Sequence, residues 1–348
     1  MRAWAAIALA LAAGGPACRV EVGAPGRESR GAEAQGSAPR GEVWIYTSLY
    51  QYVVDDLDRL VRARLPGVEP RWFTGGSEKV SQRIDGELAA GATRADVLLI
   101  SDPFFFVRMK REGRLLPSVP PRALRVPRAL VDPDGAWLTS RVAVMVLVYN
   151  PAKLDPADIP RTYLDLAKPA LKGKIIFGDP LASGTFFTTV ALLSDKYGWD
   201  YFRRLKDNGL ISTGGNSVVI ERVSSGEYQA GAVLLENFVS AKKKGAPIEY
   251  VVPEDGAVLI PGPSAIFQSS QNPVAAKAVM DLIFSAEGQE VMVRGDMYGA
   301  DPGAPQPLLS PPLAELLQHT IPADAALFER LEPKAQEIRR SFHDIVQQ

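Results

Sequence analysis

Residues 174–197 read KIIFGDPLASGTFFTTVALLSDKY. Lys174 to Gly178 is a short apolar run, as in a buried strand, and Phe186 to Tyr197 carries apolar residues at helical spacing. Between them stand Ser183, Gly184 and Thr185, so the stretch is a strand feeding a helix through a polar loop. The unit recurs. Val43 to Thr47 is a strand, and the next segment places Val53, Val54, Leu57, Leu60, Val61 and Leu65 on one helical face. Ala95 to Ile100 is a strand before a helix from Pro103, with Asp102 as its N-cap. Ala230 to Leu235 leads into a helix over Asn237 to Lys244. Such alternation predicts an α/β fold with largely parallel sheets.

Two longer apolar runs differ from these units. Val142 to Tyr149, broken by Asn150-Pro151, and Ala257 to Phe267 read as strands that carry the chain into a second lobe and back. This divides the body into lobe 1, residues 42–141 plus 268–348, and lobe 2, residues 142–267. Pro273 to Gln348 is helical in pattern, with Val274, Ala278, Val279, Leu282 and Ile283 at helical spacing, and is expected to pack back on the first lobe. No repeat of solenoid period is present.

The chain has 348 residues, on a prior of roughly 150 per domain about two domains. Hydrophobic residues at 46% and charged residues at 23% exclude a disordered chain and a polytopic membrane protein. Lys plus Arg at 39 against Asp plus Glu at 40 argues against a nucleic-acid binder. The N-terminus has Arg2, an apolar run from Ala3 to Ala13 and Gly14-Gly15-Pro16-Ala17 before Cys18, which is the pattern of a secretory leader over residues 1–17. Cys18 is then a candidate for lipidation at the mature N-terminus, and residues 18–41 a flexible tether. A mature chain from Cys18 carries 38 basic and 40 acidic side chains, a net of −2. The body has no cysteine, which removes disulfides and thiolate metal sites there. His319 and His343 are the only histidines, both in the C-terminal helical region, and no nucleophile elbow, zinc-protease or P-loop motif occurs. A secreted hydrolase with a carboxylate pair brought together by folding remains a remote alternative.

Ligands in open α/β sheets bind beyond the carboxyl ends of the strands. The loops there hold Thr47-Ser48-Leu49-Tyr50, Gly75-Gly76-Ser77, Ser101-Asp102, Ser183-Gly184-Thr185 and Asn216-Ser217. Small hydroxyl, amide and glycine residues leave backbone N–H groups open to an anion. Taken one at a time they are ordinary N-caps; taken together they suit one cleft.

Ala95-Asp96-Val97, Ser183-Gly184-Thr185, Asn216-Ser217-Val218 and Ser225-Gly226-Glu227 before Ala230 to Leu235 together resemble the substrate-binding proteins of ABC importers. The group is the ferric-iron-binding-protein-like one, which also holds binders of phosphonates, sugar phosphates and thiamine. The resemblance runs from Glu42 to about residue 330. It implies a two-lobed periplasmic-binding-protein type II fold with two crossover strands as hinge. It places the family's anion-binding turn on Ser183, Gly184 and Thr185, with Asn216 as partner. The adjacent tyrosines of the ferric members fall on Leu235 and Glu236, and Tyr50 stands near their histidine. Losing two phenolates removes most of the oxygen sphere that ferric iron needs.

The expectation is therefore an extracellular, periplasmic solute-binding component of an ABC importer, not an enzyme. It is expected to be monomeric, with neither cofactor nor bound metal, and to deliver a small anionic solute carrying phosphate or phosphonate to an inner-membrane permease. Contacts are expected from Thr47, Ser48, Tyr50, Gly76, Ser77 and Ser101 on one side and Ser183, Gly184, Thr185, Asn216, Ser217 and Glu236 on the other. Arg141 is the basic candidate, unless it pairs structurally with a carboxylate. Glu236 either accepts from an amine or sugar hydroxyl, or is a solvated residue at a helix start. The alternatives are a ferric-iron-binding protein and a ligand-binding sensor subunit.

Overall fold

A computed structural model describes residues 38–347. The expected leader, Cys18 and most of the tether lie outside the described residues. The strands are β1 (Gly41–Thr47), β2 (Val68–Thr74), β3 (Val97–Leu99), β4 (Leu115–Leu116), β5 (Leu138–Tyr149) and β6 (Ile175–Phe177). They continue with β7 (Ile211–Ser212), β8 (Ala230–Leu234), β9 (Glu249–Val251), β10 (Ala257–Phe267), β11 (Tyr298–Gly299) and β12 (Thr320–Ile321). The helices are α1 (Gln51–Arg64), α2 (Ser77–Ala89), α3 (Pro103–Arg111), α4 (Gly184–Tyr197), α5 (Trp199–Asp207) and α6 (Asn216–Ser224). They end with α7 (Leu235–Lys243), α8 (Pro273–Ile283), α9 (Ala286–Arg294), α10 (Leu313–Leu316), α11 (Ala325–Leu331) and α12 (Ala335–Val346).

Local chemistry sets the starts of these elements. Asp102 caps α3 by accepting from the Phe105 N–H, with Pro103 in the first turn, and Ser183 caps α4 by accepting from the Phe186 N–H. Strand β3 is shorter than the expected Ala95 to Ile100. Just before it, Asp96 still bonds to both neighbouring strands, its N–H to the Trp44 carbonyl and its carbonyl to the Phe267 N–H, each at 2.9 Å, while its carboxylate accepts from the Trp44 N–H at 2.8 Å.

The main sheet runs β2-β1-β3-β10-β5-β8-β6-β7. Strands β1, β2 and β3 pair in parallel on one side, and β6, β7 and β8 pair in parallel on the other. Between them lie β5 and β10, the two runs expected to cross over, antiparallel to each other and buried along almost their whole length. β5 starts at Leu138, four residues before the expected Val142. The fold is thus α/β, as expected, but its sheet is mixed rather than largely parallel: β5 and β10 run antiparallel to each other and to β8 and β3 beside them.

Strand β10 is broken chemically at its middle. Pro261 and Pro263 lack the N–H a ladder uses, and the register to β5 shifts between Gly262 and Pro263. Gly262 faces Arg141 of β5, and a Cβ there would lie 2.6 Å from the Arg141 Cγ. Only glycine lets the arginine stem cross the strand at that point.

The C-terminal stretch corrects one expectation. Helices α8 and α9 pack on α1, and α8 also on β1, within the segments expected to form the first lobe, and α8 reaches β10 at the end of the second. Helix α12 instead packs on α4 and α5, inside the 142–267 segment. Its stripe of Ile338, Phe342 and Val346 needs an apolar partner, and Phe342 meets Phe202 of α5 edge-on at 5.4 Å. Lys206 donates to the Val346 carbonyl at 2.8 Å, and Gln347 to the Ser212 carbonyl at 2.8 Å. Among the described residues no helix is long and apolar enough to cross a membrane.

Candidate functional site

The loops after β1, β2, β3, β6, β7 and β8 bound one polar cleft of about 260 Å³. Ser48, Tyr50, Gly76, Ser77 and Ser101 line it from the β1 to β3 side. Ser183, Gly184, Thr185, Asn216, Ser217 and Glu236 line it from the β6 to β8 side, and Arg141 comes from β5. The two sides approach closely at Gly184. A Cβ there would sit 2.8 Å from the Ser77 Cβ, 3.1 Å from the Ser101 carbonyl oxygen and 3.2 Å from the Asp102 Cβ.

Thr47 is the exception among the expected contacts. It is fully buried; its hydroxyl donates to the Leu99 carbonyl at 2.9 Å and accepts from the Leu49 N–H at 3.1 Å. The first bond ties β1 to β3 and the second folds the following loop back on the strand end, and Thr47 does not line the cleft. Its contribution is to seat Ser48, whose hydroxyl accepts from the Ser101 N–H at 3.2 Å, as does that of Ser77.

On the other wall the hydroxyls form a chain. Ser183 Oγ lies 3.0 Å from Thr185 Oγ1, which accepts from the Asn216 amide at 2.9 Å. Asn216 is not the N-cap that its loop position suggests. Gly215 occupies the cap position of α6, while Asn216 Oδ1 accepts from the Leu234 N–H at 3.1 Å and holds α6 to the end of β8.

Arg141 and Glu236 are the charges of the cleft. The Arg141 guanidinium donates to Ser101 Oγ and, at 3.4 Å, to Glu236 Oε1, with side chains only 7% and 3% exposed. The solvated alternative for Glu236 therefore fails. Burial pushes its carboxyl pKa up, Arg141 opposes that, and Asp296 adds to it. The bond from Arg141 is the one hydrogen bond this carboxylate receives among the described residues, and a long one, so it has free acceptor capacity. Tyr50 donates to Asn237 Oδ1 at 2.8 Å, and burial, aided by Glu236, holds its phenol well above the usual range. It is a neutral donor here, stacked on Tyr52 at 5.7 Å between ring centroids.

Sequence reasoning missed Ala182, Gly215 and Leu234, which also line the cleft. It also missed the group behind it. Arg339 of α12 pairs with Glu78 at 2.7 Å and approaches Asp102 at 3.7 Å, and its guanidinium lies 3.4 Å over the Phe187 ring. Burial, with help from Asp102 and Asp179, pushes the Glu78 carboxyl up to about 7 against the opposing pull of Arg339. A carboxyl that holds its proton more tightly when folded makes folding less favourable as pH rises from the unfolded value to the folded one. The contribution of Glu78 to stability is thus expected to fall between about pH 4.5 and 7. Glu78→Gln should flatten that slope in urea unfolding followed across pH, and an unchanged slope counts against the assignment.

His319 and His343 are exposed and do not line the cleft. The family model of bacterial extracellular solute-binding proteins matches residues 92–316, more than half of the chain. A Haemophilus influenzae protein described as uncharacterized is 32% identical over 144 residues, 40% of this chain and 42% of that protein. A Serratia marcescens Fe(3+)-binding periplasmic protein is 26% identical over 275 residues, 75% of this chain and 78% of that one. The structure of the periplasmic binding protein AfuA from Actinobacillus pleuropneumoniae, with exogenous fructose-6-phosphate bound, superposes with a TM-score of 0.77. Its identity is 24%, over 88% of this chain and 99% of that one, which establishes a shared type II periplasmic-binding-protein fold.

Proposed function

The chain belongs to the bacterial extracellular solute-binding proteins, and from that premise we propose that it captures a small solute for an ABC importer. The solute carries a phosphate or phosphonate group together with an amine or hydroxyl. One observation carries this reading: a buried cation and a buried, under-bonded carboxylate stand in the same hydroxyl-lined cleft. Phosphoryl oxygens accept from Ser77, Ser183 and Thr185, from Arg141, and from the open N–H groups at the starts of α2, α4 and α6. Glu236 accepts from the ligand's amine or hydroxyl. Inorganic phosphate offers that carboxylate only its own acidic hydroxyl and no amine or sugar hydroxyl. Aminoalkyl phosphonates and sugar phosphates meet both requirements, and the cleft's 260 Å³ suits a ligand of that size.

Capture is a closure of two lobes about β5 and β10, with the Pro261-Gly262-Pro263 break as the bending point and the closed form docking on a permease. The protein works as a periplasmic monomer, and Cys18 is the candidate anchor. Iron finds poor terms in this cleft: Leu235 is packed in the core, Tyr50 is a neutral phenol bonded to Asn237, and Arg141 already opposes a cation.

The test is thermal unfolding against aminoalkyl phosphonates, sugar phosphates, phosphate, thiamine and ferric citrate. A ligand at about a hundred times its Kd adds roughly 2.7 kcal/mol, a rise of several degrees in Tm. A rise with an organic phosphoryl compound and none with ferric citrate is expected; a rise with ferric citrate alone overturns the reading. Glu236→Gln is expected to weaken the organic ligand about tenfold or more, the loss of one charge-assisted hydrogen bond. Equal affinity in the variant removes Glu236 from the site. A pull-down against the permease and against a sensor's membrane partner separates importer from sensor subunit.

A further inference from the structure

We propose that Arg339, on the last helix, is a positioning residue of the ligand cleft, cancelling negative charge directly behind the wall that holds the ligand's anionic group. The inference rests on the reading of the cleft as an anion site. Glu78 follows Ser77, and Asp102 follows Ser101, so two carboxylates stand one residue behind two cleft-lining serines. Both are close to the Gly184 turn, where the Asp102 Cβ approaches within 3.2 Å of a Cβ placed on that glycine. Left uncancelled, they repel the anion that the serines attract.

Arg339 is the cation supplied against them. It reaches Glu78 at 2.7 Å and Asp102 at 3.7 Å, and its plane is fixed over Phe187, one turn into α4. The other charged groups facing this cluster are Asp179, in the loop after β6, and Arg108 of α3, which is also engaged with Asp85 at 2.8 Å. One guanidinium against two carboxylates leaves a residual negative charge whenever both are ionised. Burial pushes both carboxyls up, Glu78 to about 7, so a proton held within the Glu78–Asp102 pair removes that residual charge in the acid range. Anion affinity is therefore tied to α12 and to the protonation of Glu78.

The experiment is calorimetric titration of the parent, Glu78→Gln, Arg339→Gln and the Arg339→Gln/Glu78→Gln double variant. Fructose 6-phosphate and 2-aminoethylphosphonate are the probes, at pH 5.5 and pH 8. At pH 8, Arg339→Gln is expected to weaken the bound probe about tenfold, the scale of one uncancelled charge in a medium of intermediate dielectric. The double variant should recover most of that loss, and the deficit should shrink at pH 5.5. Glu78→Gln alone, which keeps Arg339 in place, should bind more tightly than the parent at pH 8; comparison at each pH removes the probe's own titration. Parent-like binding by both single variants, or a loss in Arg339→Gln that neither Glu78→Gln nor acid recovers, overturns the inference.

If the parent binds neither probe, the anion reading itself fails. The charge behind the wall is then read directly on a Ser183→Cys thiol in the cysteine-free body, from the pH dependence of its alkylation. Adding Arg339→Gln should raise the thiol pKa by about a unit, because nearby negative charge disfavours the thiolate. An unmoved thiol pKa overturns the inference.

Discussion

Arg141→Ala is expected to cost about 3–5 kcal/mol of stability, because it leaves Glu236 buried with no opposing charge. The argument turns on the asymmetry of buried pairs: the pair adds little over two apolar residues, but removing one member strands the other. Glu236, already pushed up by burial, then rises further. A carboxyl raised above its unfolded value destabilises the folded state as pH climbs, so the deficit of Arg141→Ala should be larger at pH 8 than at pH 5. Removing both charges should return much of the loss, and urea unfolding of the four members of that double-mutant cycle measures the coupling. The ligand should be lost as well. A charge-assisted hydrogen bond of about 1.5–3 kcal/mol corresponds to roughly tenfold to over a hundredfold in affinity. A variant that is as stable as the parent at both pH values contradicts the buried pair, and one that binds the phosphoryl ligand normally contradicts its role.

The second large effect is expected from the smallest substitution. Gly184→Ala puts a methyl group against the Ser77 Cβ, the Ser101 carbonyl and the Asp102 Cβ, at 2.8, 3.1 and 3.2 Å. None of these is the free end of a flexible side chain, so the walls must move apart to admit it. Overpacking of this kind costs about 1–3 kcal/mol. The displaced wall also carries Ser183 and Thr185, so a shift at Gly184 is a shift of the hydroxyls that face the ligand. We expect a Kd at least about tenfold higher, where 1.4 kcal/mol is one decade. Binding and melting of the variant measured side by side test this, and parent-like values in both would mean that the walls are not in contact in solution.

Much of the architecture was legible because burial in an α/β sheet leaves a local mark. Apolar runs gave β1, β3, β5, β6, β8 and β10, while edge strand β2, which alternates buried and exposed residues, left no such run, and Asp102 and Ser183 marked helix starts by capping chemistry that acts over three residues. The cleft was legible as a set of loops for the same reason: the ends of strands are where small polar residues collect. What failed depends on distant partners. Thr47 looks like any hydroxyl in a binding loop, and only the Leu99 carbonyl, 52 residues away, shows it to be spent on the sheet. Arg141 and Glu236 are each legible as cleft candidates, but that they pair with each other, 95 residues apart, is not. The amphipathic pattern of the last helix shows that Phe342 and Val346 need cover. It does not tell which helices provide it, and so neither the docking on α4 and α5 nor the position of Arg339 could be read in advance.

The placement of β10 has a consequence for the order in which the molecule can be made. This strand lies between β3 and β5, so one group of parallel strands cannot join the other until residue 267 has left the ribosome. Helix α12, which covers α4 and α5, arrives later still. A nascent chain lacking these segments has two unpaired strand edges and an open apolar groove, and its native contacts span long stretches of sequence that close slowly. Late closure keeps a chain threadable. A sheet whose last central strand is its tenth is joined across its middle only after most of the chain has been made.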